Sequence, residues 1–260
     1  MKRITLLLAV LFVLGLTSDT LAQSKTREQM IDEIAAKRKE LNQLEQEFLD
    51  VTDVDRSAFA HLLAQPNTGL IRLLPREKFD SEVYQNSRQT ITMRGAGAYY
   101  SFVRLTHVYG SGSDISLDHD KLLVGFAGLD YGMIVEVSDQ SIEDLSGGSP
   151  WLRPLMDYLP PKAEAAIRRE QTRFGLGTTI DEITLRSSAP VEIGATYLLR
   201  SISYDRSDIL VGLKVVRKDS DGSLIIAWKL LNKFSTPKLV REKPEVISFL
   251  KRDSKLQHKG

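Results

Sequence analysis

The residues with the plainest chemical capacity are Asp118, His119 and Asp120, two carboxylates on either side of an imidazole. Such a triplet raises the basicity of the imidazole or offers oxygen and nitrogen ligands to a cation. Successive residues of a strand point to opposite faces, however, which would turn His119 away from both aspartates. Two aspartates and Lys121 between two apolar runs have the composition of a tight turn. The expectation is an exposed turn, with the triplet kept as the weak catalytic candidate and with no metal and no cofactor expected. The other histidines add nothing: His61 falls in a helical stretch, His107 in an alternating strand and His258 in the tail. No His-x-x-x-His pair suggests zinc.

A second candidate is the stretch from Met93 to Leu117, which carries four glycines and the aromatics Tyr99, Tyr100, Phe102 and Tyr109. A dinucleotide-binding loop needs three glycines spaced G-x-G-x-x-G between a strand and a helix. Gly95-Ala96-Gly97 is followed by Ala98-Tyr99-Tyr100, so the third glycine is missing and the continuation is strand-like. No helix N-terminus then faces the loop to hold an anion. Gly95 and Gly97 read as a bend, Gly110 to Ser113 as a hairpin loop, and the aromatics as sheet packing. Asp219-Ser220-Asp221-Gly222 resembles the middle of a calcium loop, but Arg217 occupies its first ligand position. It reads as a turn. No Gly-x-Ser-x-Gly elbow is present, and without cysteine there is no thiol nucleophile.

The elements that must position these residues follow from periodicity. Lys25 to Val51 places Ile34, Leu41 and Phe48 at one heptad position and Met30, Lys37, Leu44 and Val51 at the other, with charges on the remaining faces. This predicts a long amphipathic helix, lying on its own domain or self-associating as a short coiled coil. Thr52-Asp53 offers a cap for a second helix over Val54 to Ala64. From Arg88 the period shortens to two, with runs at Leu122 to Phe126 and Met133 to Val137, as in an antiparallel meander. Trp151 to Phe174 is helical, interrupted by Pro160-Pro161, with Ala163, Ile167 and Phe174 on one face and Arg168, Arg169 and Arg173 on the other. Val191 to Tyr204, Ile209 to Val216 and Leu224 to Leu230 are three strands joined by turn-rich links. A short helix is expected around Glu245 to Leu250.

Compartment and charge bound the function. Met1-Lys2-Arg3, an uncharged leucine-rich stretch from Ile4 to Leu16, and small residues at Thr20 and Ala22 form a secretory signal pattern. The apolar stretch is shorter than the roughly 20 residues that span a bilayer, so no stable span is expected after cleavage. Without Lys2, Arg3 and Asp19 the chain has 33 basic and 33 acidic residues. That neutrality speaks against nucleic acid, whose binders carry a basic excess or stripe. Lys251, Arg252, Lys255 and Lys259 read as a solvated terminus. Zero cysteines exclude disulfides, and 238 residues after cleavage suffice for a core held by burial alone.

The sequence therefore predicts an α+β fold with N-terminal amphipathic helices and two antiparallel β-meander regions separated by a helical segment. The divisions are a signal peptide at 1–22, a helical, potentially coiled-coil segment at 23–65, a first β-rich region at 66–148, a helical connector at 149–176, a second β-rich region at 177–240 and a charged tail at 241–260. Whether the β regions form one sheet or two lobes stays open. The expected function is that of a secreted or periplasmic bacterial envelope protein that binds a protein or small ligand without catalysis and self-associates through its N-terminal helix. The alternative is an exported hydrolase or metal-assisted enzyme using Asp118, His119 and Asp120.

Overall fold

A computed structural model describes residues 25–80, 93–110, 112–126, 128–137, 140–145 and 150–240. The expected signal peptide, the expected alternation at 89–92 and the short helix expected in the tail lie outside the described residues. The fold is α+β with antiparallel sheets. The chain to Phe48 forms one unit and the chain from Leu49 another. In the first, α1 (Arg27–Leu49) starts at a capping box, in which Thr26 Oγ1 accepts from the Gln29 N–H and Gln29 Oε1 accepts from the Thr26 N–H. No proline or glycine interrupts it. Among the described residues no helix is long and apolar enough to cross a membrane.

The second unit begins with α2 (Asp53–Ala58), capped by Thr52 as its composition predicts, with Asp55 completing the box. Next come α3 (Ala60–Leu63), β1 (Thr68–Leu73), α4 (Arg76–Phe79), β2 (Tyr99–Tyr100), β3 (Ile115–Asp118), β4 (Lys121–Leu123) and β5 (Tyr131–Glu136). Then follow α5 (Arg153–Met156), α6 (Glu164–Leu176), β6 (Thr178–Ile180), β7 (Ile183–Leu185), β8 (Ser188–Pro190), β9 (Thr196–Ser203), β10 (Ser207–Lys218) and β11 (Leu224–Lys233). The last three make a continuous antiparallel meander. Its flanks are strands from far upstream: β1 pairs with β11 and β5 with β9. Conversely β8 leaves the C-terminal half to close the small sheet, whose order is β2-β3-β4-β8. The large and small sheets thus each take strands from both halves of the sequence, while β6 and β7 pair only with each other.

Burial on both faces of the large sheet follows. One face packs Tyr197, Leu199, Val211, Leu213 and Ile226 against Tyr100, Ile115, Leu117 and Leu122 of the small sheet. The other packs Met133, Leu198, Ile202 and Leu210 against Leu62, Leu155, Ile167 and Phe174 of the helices. The order is small sheet, large sheet, helices. Every residue of β9 is buried, the polar Thr196, Arg200, Ser201 and Ser203 included, as in a strand covered on both faces. Gly132 allows β5 to sit this close: a Cβ there would lie 2.3 Å from both Arg200 O and Val124 Cγ1. The helical layer is tied down by Arg200, on β9. Its guanidinium donates to both carboxylate oxygens of Asp208 at 2.8 Å, to Leu155 O and to Tyr158 O. It also stacks 3.8 Å from the Phe234 ring centroid.

Candidate functional site

Asp118, His119 and Asp120 do form a turn. Asp118 pairs with Lys121 across the β3–β4 hairpin, and His119 and Asp120 are its two loop residues. Both have positive φ, 47° and 56°, the left-handed pair of a tight hairpin whose twist matches its strands. A β-branched residue would be strained at either position; aspartate and histidine tolerate it better. The turn separates the triplet. His119 Nδ1 lies 2.8 Å from Asp118 Oδ1. Asp120 points away and takes a 2.7 Å ion pair from Lys218 at the end of β10. Its place is filled by Glu77 of α4, whose Oε2 accepts the His119 N–H at 3.1 Å.

Glu77, Asp118 and His119 each present one ligand atom, all within 4.8 Å of one another. The set has the residue types of a divalent-cation site, yet its surroundings oppose one. The Arg76 guanidinium lies 3.6 Å from Asp118, Glu77 is engaged by the turn, and the His119 side chain is 76% exposed. Exposed pairs of this kind contribute little. Replacing Asp118, His119 and Asp120 by asparagine, which accepts left-handed backbone, is expected to change stability by no more than about 0.5 kcal/mol. Melting in zinc and manganese at neutral pH should shift wild type and triple variant alike. A rise of several degrees confined to wild type would establish a site here.

No protein-family model matches the chain, and neither a curated protein nor a solved structure matches it. The site must be judged on its own geometry.

The glycine-rich stretch is a pair of consecutive turns, with Ala96 N–H donating to Met93 O and Ala98 N–H to Gly95 O. Gly95 and Gly97 both have positive φ, and a Cβ on Gly95 would meet Tyr109 Cβ at 2.7 Å. Its aromatics pack as expected: Tyr99 against Tyr109 and Phe126, Tyr100 against Phe102 and His107. His107 donates from Nε2 to Arg72 O, 2.8 Å away, and burial holds its pKa below the ordinary value. His61 stands exposed, 3.5 Å from Glu143. Asp219 to Gly222 turns β10 into β11. Asp219 is ion-paired to Arg217 and to Arg72 at 2.6 Å each. Those arginine hydrogen bonds, Arg217 first, hold its carboxyl below the usual range against the effect of burial. Asp55 is similar: burial works against its charge, but Arg217 and Thr52 outweigh it and the pKa is lowered.

Two polar groupings were not found from sequence. Arg200 and Asp208 stand eight residues apart with no motif to link them; only the β9–β10 register aligns them. Asp114 is fully buried at the entrance to β3. It follows the expected hairpin loop at Gly110 to Ser113, and no motif singles it out.

Proposed function

We propose that the protein is exported to the bacterial cell envelope, where it binds or scaffolds rather than catalyses, and that it self-associates through α1. The observation that carries this reading is the surface of that helix. Met30, Ile34, Leu41, Leu44 and Phe48, the apolar heptad residues within the helix, are exposed, whereas Val51, just beyond it, is buried. A seam of this kind is what a second copy covers in a coiled coil, with Lys37 as the single charged interruption within the helix. The basic start, the apolar stretch to Leu16 and the small residues before Gln23 support export.

Protein recovered from the envelope or medium of a bacterial host should begin near Gln23 and sediment as an oligomer. Leu41→Lys/Leu44→Lys should sediment as a monomer while its melting transition stays where it was. Burying each leucine is worth roughly 1.5–3 kcal/mol, so association should weaken by at least about 100-fold. A cytoplasmic product that keeps Met1 ends the export reading, and a wild type that is monomeric at high concentration ends the self-association reading. The second reading is an exported hydrolase or metal-assisted enzyme. The arrival of Glu77 beside Asp118 and His119 favours it, and the zinc and manganese melts decide it.

A further inference from the structure

The two edges of the α1 seam differ in charge. Beside Ile34, Leu41 and Phe48 run Glu33, Glu40 and Glu47, one residue earlier in each heptad. Beside Met30, Lys37 and Leu44 run Ile31, Arg38 and Glu45, one residue later. Arg38, Glu40 and Glu47 are exposed and Glu33 is half-buried, whereas Glu45 is buried in its own chain. Lys25 and Gln43 of the same chain reach Glu33 and Glu47. These contacts are at the surface and leave both carboxylates open to a further partner.

Charges along the edges of a coiled coil set the orientation of its helices. In an antiparallel pair each edge meets its own copy. The register that stacks Met30 on Phe48, Ile34 on Leu44 and Lys37 on Leu41 puts Glu40 opposite Glu40, Glu33 opposite Glu47 and Arg38 opposite Arg38. Every charged edge pair is then like-charged. In a parallel, in-register pair each acidic edge meets the other edge. Glu33 then faces Arg38 of the second copy, twice in the dimer. Glu40 would face Glu45, but that side chain is held in its own chain.

Lys37 points the same way. In parallel register the two lysines share one layer and leave the other layers apolar. In the antiparallel register they occupy two layers, each against a leucine. A single polar core position that is satisfied only in one alignment fixes register and oligomer state, and the lysine stems let both ammonium groups reach water. A lipid surface fits the seam less well, because Glu33, Glu40 and Glu47 would meet anionic headgroups. We propose that α1 pairs with α1 of a second copy as a parallel, in-register dimer, so that both chains leave the coil together at its Leu49 end. This rests on self-association through α1 and adds its orientation.

The chain has no cysteine, so single cysteines report contacts without background. Met30 and Phe48 lie about 27 Å apart along the helix, far beyond disulfide reach. Met30→Cys and Phe48→Cys should each cross-link to itself on mild oxidation, as dimers, and sedimentation under reducing conditions should show each variant still paired. A charge series leaves the seam residues untouched. Glu33→Lys should weaken the dimer about fivefold, because two attractive exposed pairs become repulsive. Glu33→Lys/Arg38→Glu should restore it. The proposal is overturned if cross-links form only when the two cysteine variants are mixed, which leaves self-association standing with the opposite orientation. It is also overturned if the oligomer forms with none of these cross-links, if it holds more than two chains, or if Glu33→Lys tightens it. A wild type that is monomeric at high concentration removes self-association and this proposal together. If that monomer floats with vesicles of phosphatidylethanolamine and phosphatidylglycerol, a lipid surface covers the seam instead.

Discussion

Asp208→Ala should destabilise the protein by about 3–5 kcal/mol, lowering its melting temperature by roughly 10 °C. Both side chains of the Arg200–Asp208 pair are only 2% exposed. Removing the carboxylate leaves a guanidinium that burial does not allow to reach water and that cannot discard its proton. The remaining contacts, to Leu155 O, Tyr158 O and the Phe234 ring, do not neutralise it. The charge itself is the source of the loss, and a double variant shows this. Arg200→Met/Asp208→Leu, which fills similar volume without charge, should lose less than Asp208→Ala alone, because a buried pair often only breaks even against apolar packing. Thermal melting of the single and double variants checks both statements. A single variant within about 1 kcal/mol of wild type would mean that water reaches Arg200.

Phe174→Ala should be of comparable size, about 3–5 kcal/mol, read as a lower denaturant midpoint at unchanged slope. Phe174 is fully buried at the C-terminal end of α6. Its ring stacks on Tyr131 at 6.1 Å and meets the edge of Tyr158 at 5.5 Å, and its carbonyl accepts the Ser187 N–H. The cavity would open between α6 and β5, where the helical layer docks on the large sheet. Phe174→Leu should cost much less, since the site keeps most of its filling. Near-neutral behaviour of the alanine variant would show that α6 contributes no core.

The face of α6 was legible in advance. Ile167 and Phe174 are buried, while Arg168, Arg169 and Arg173 are exposed. The long helix was legible too: periodicity predicts 25–51, and the helix runs Arg27–Leu49. So were the three long strands and the turns between them. The reason is the same in each case. Period and turn chemistry belong to neighbours in the chain, and one burial environment imposes them over many residues. The turn reading of Asp118-His119-Asp120 belongs to this class, as does the reading of Gly95 and Gly97 as a bend.

The chain by itself thus determined helix faces, strand positions, turns, the absence of thiol chemistry and the expectation of export. The tertiary structure decided everything that needs two distant segments to meet. Strand order in a sheet is one such thing: β1 and β5 flank the C-terminal meander, and β8 joins the small sheet, because backbone pairing carries no label of its partner. The composition of the hairpin site is another: Glu77 replaces Asp120 because left-handed backbone at His119 and Asp120 turns the two aspartates apart. Arg200 meets Asp208 only through the β9–β10 register, where a slip of one residue would send them to opposite faces. The Ser201 hydroxyl likewise meets Asp114 only in the folded chain, from a distant strand. A serine or an aspartate looks the same in sequence whether water or a second sheet covers it, and burial is what makes its pairing matter.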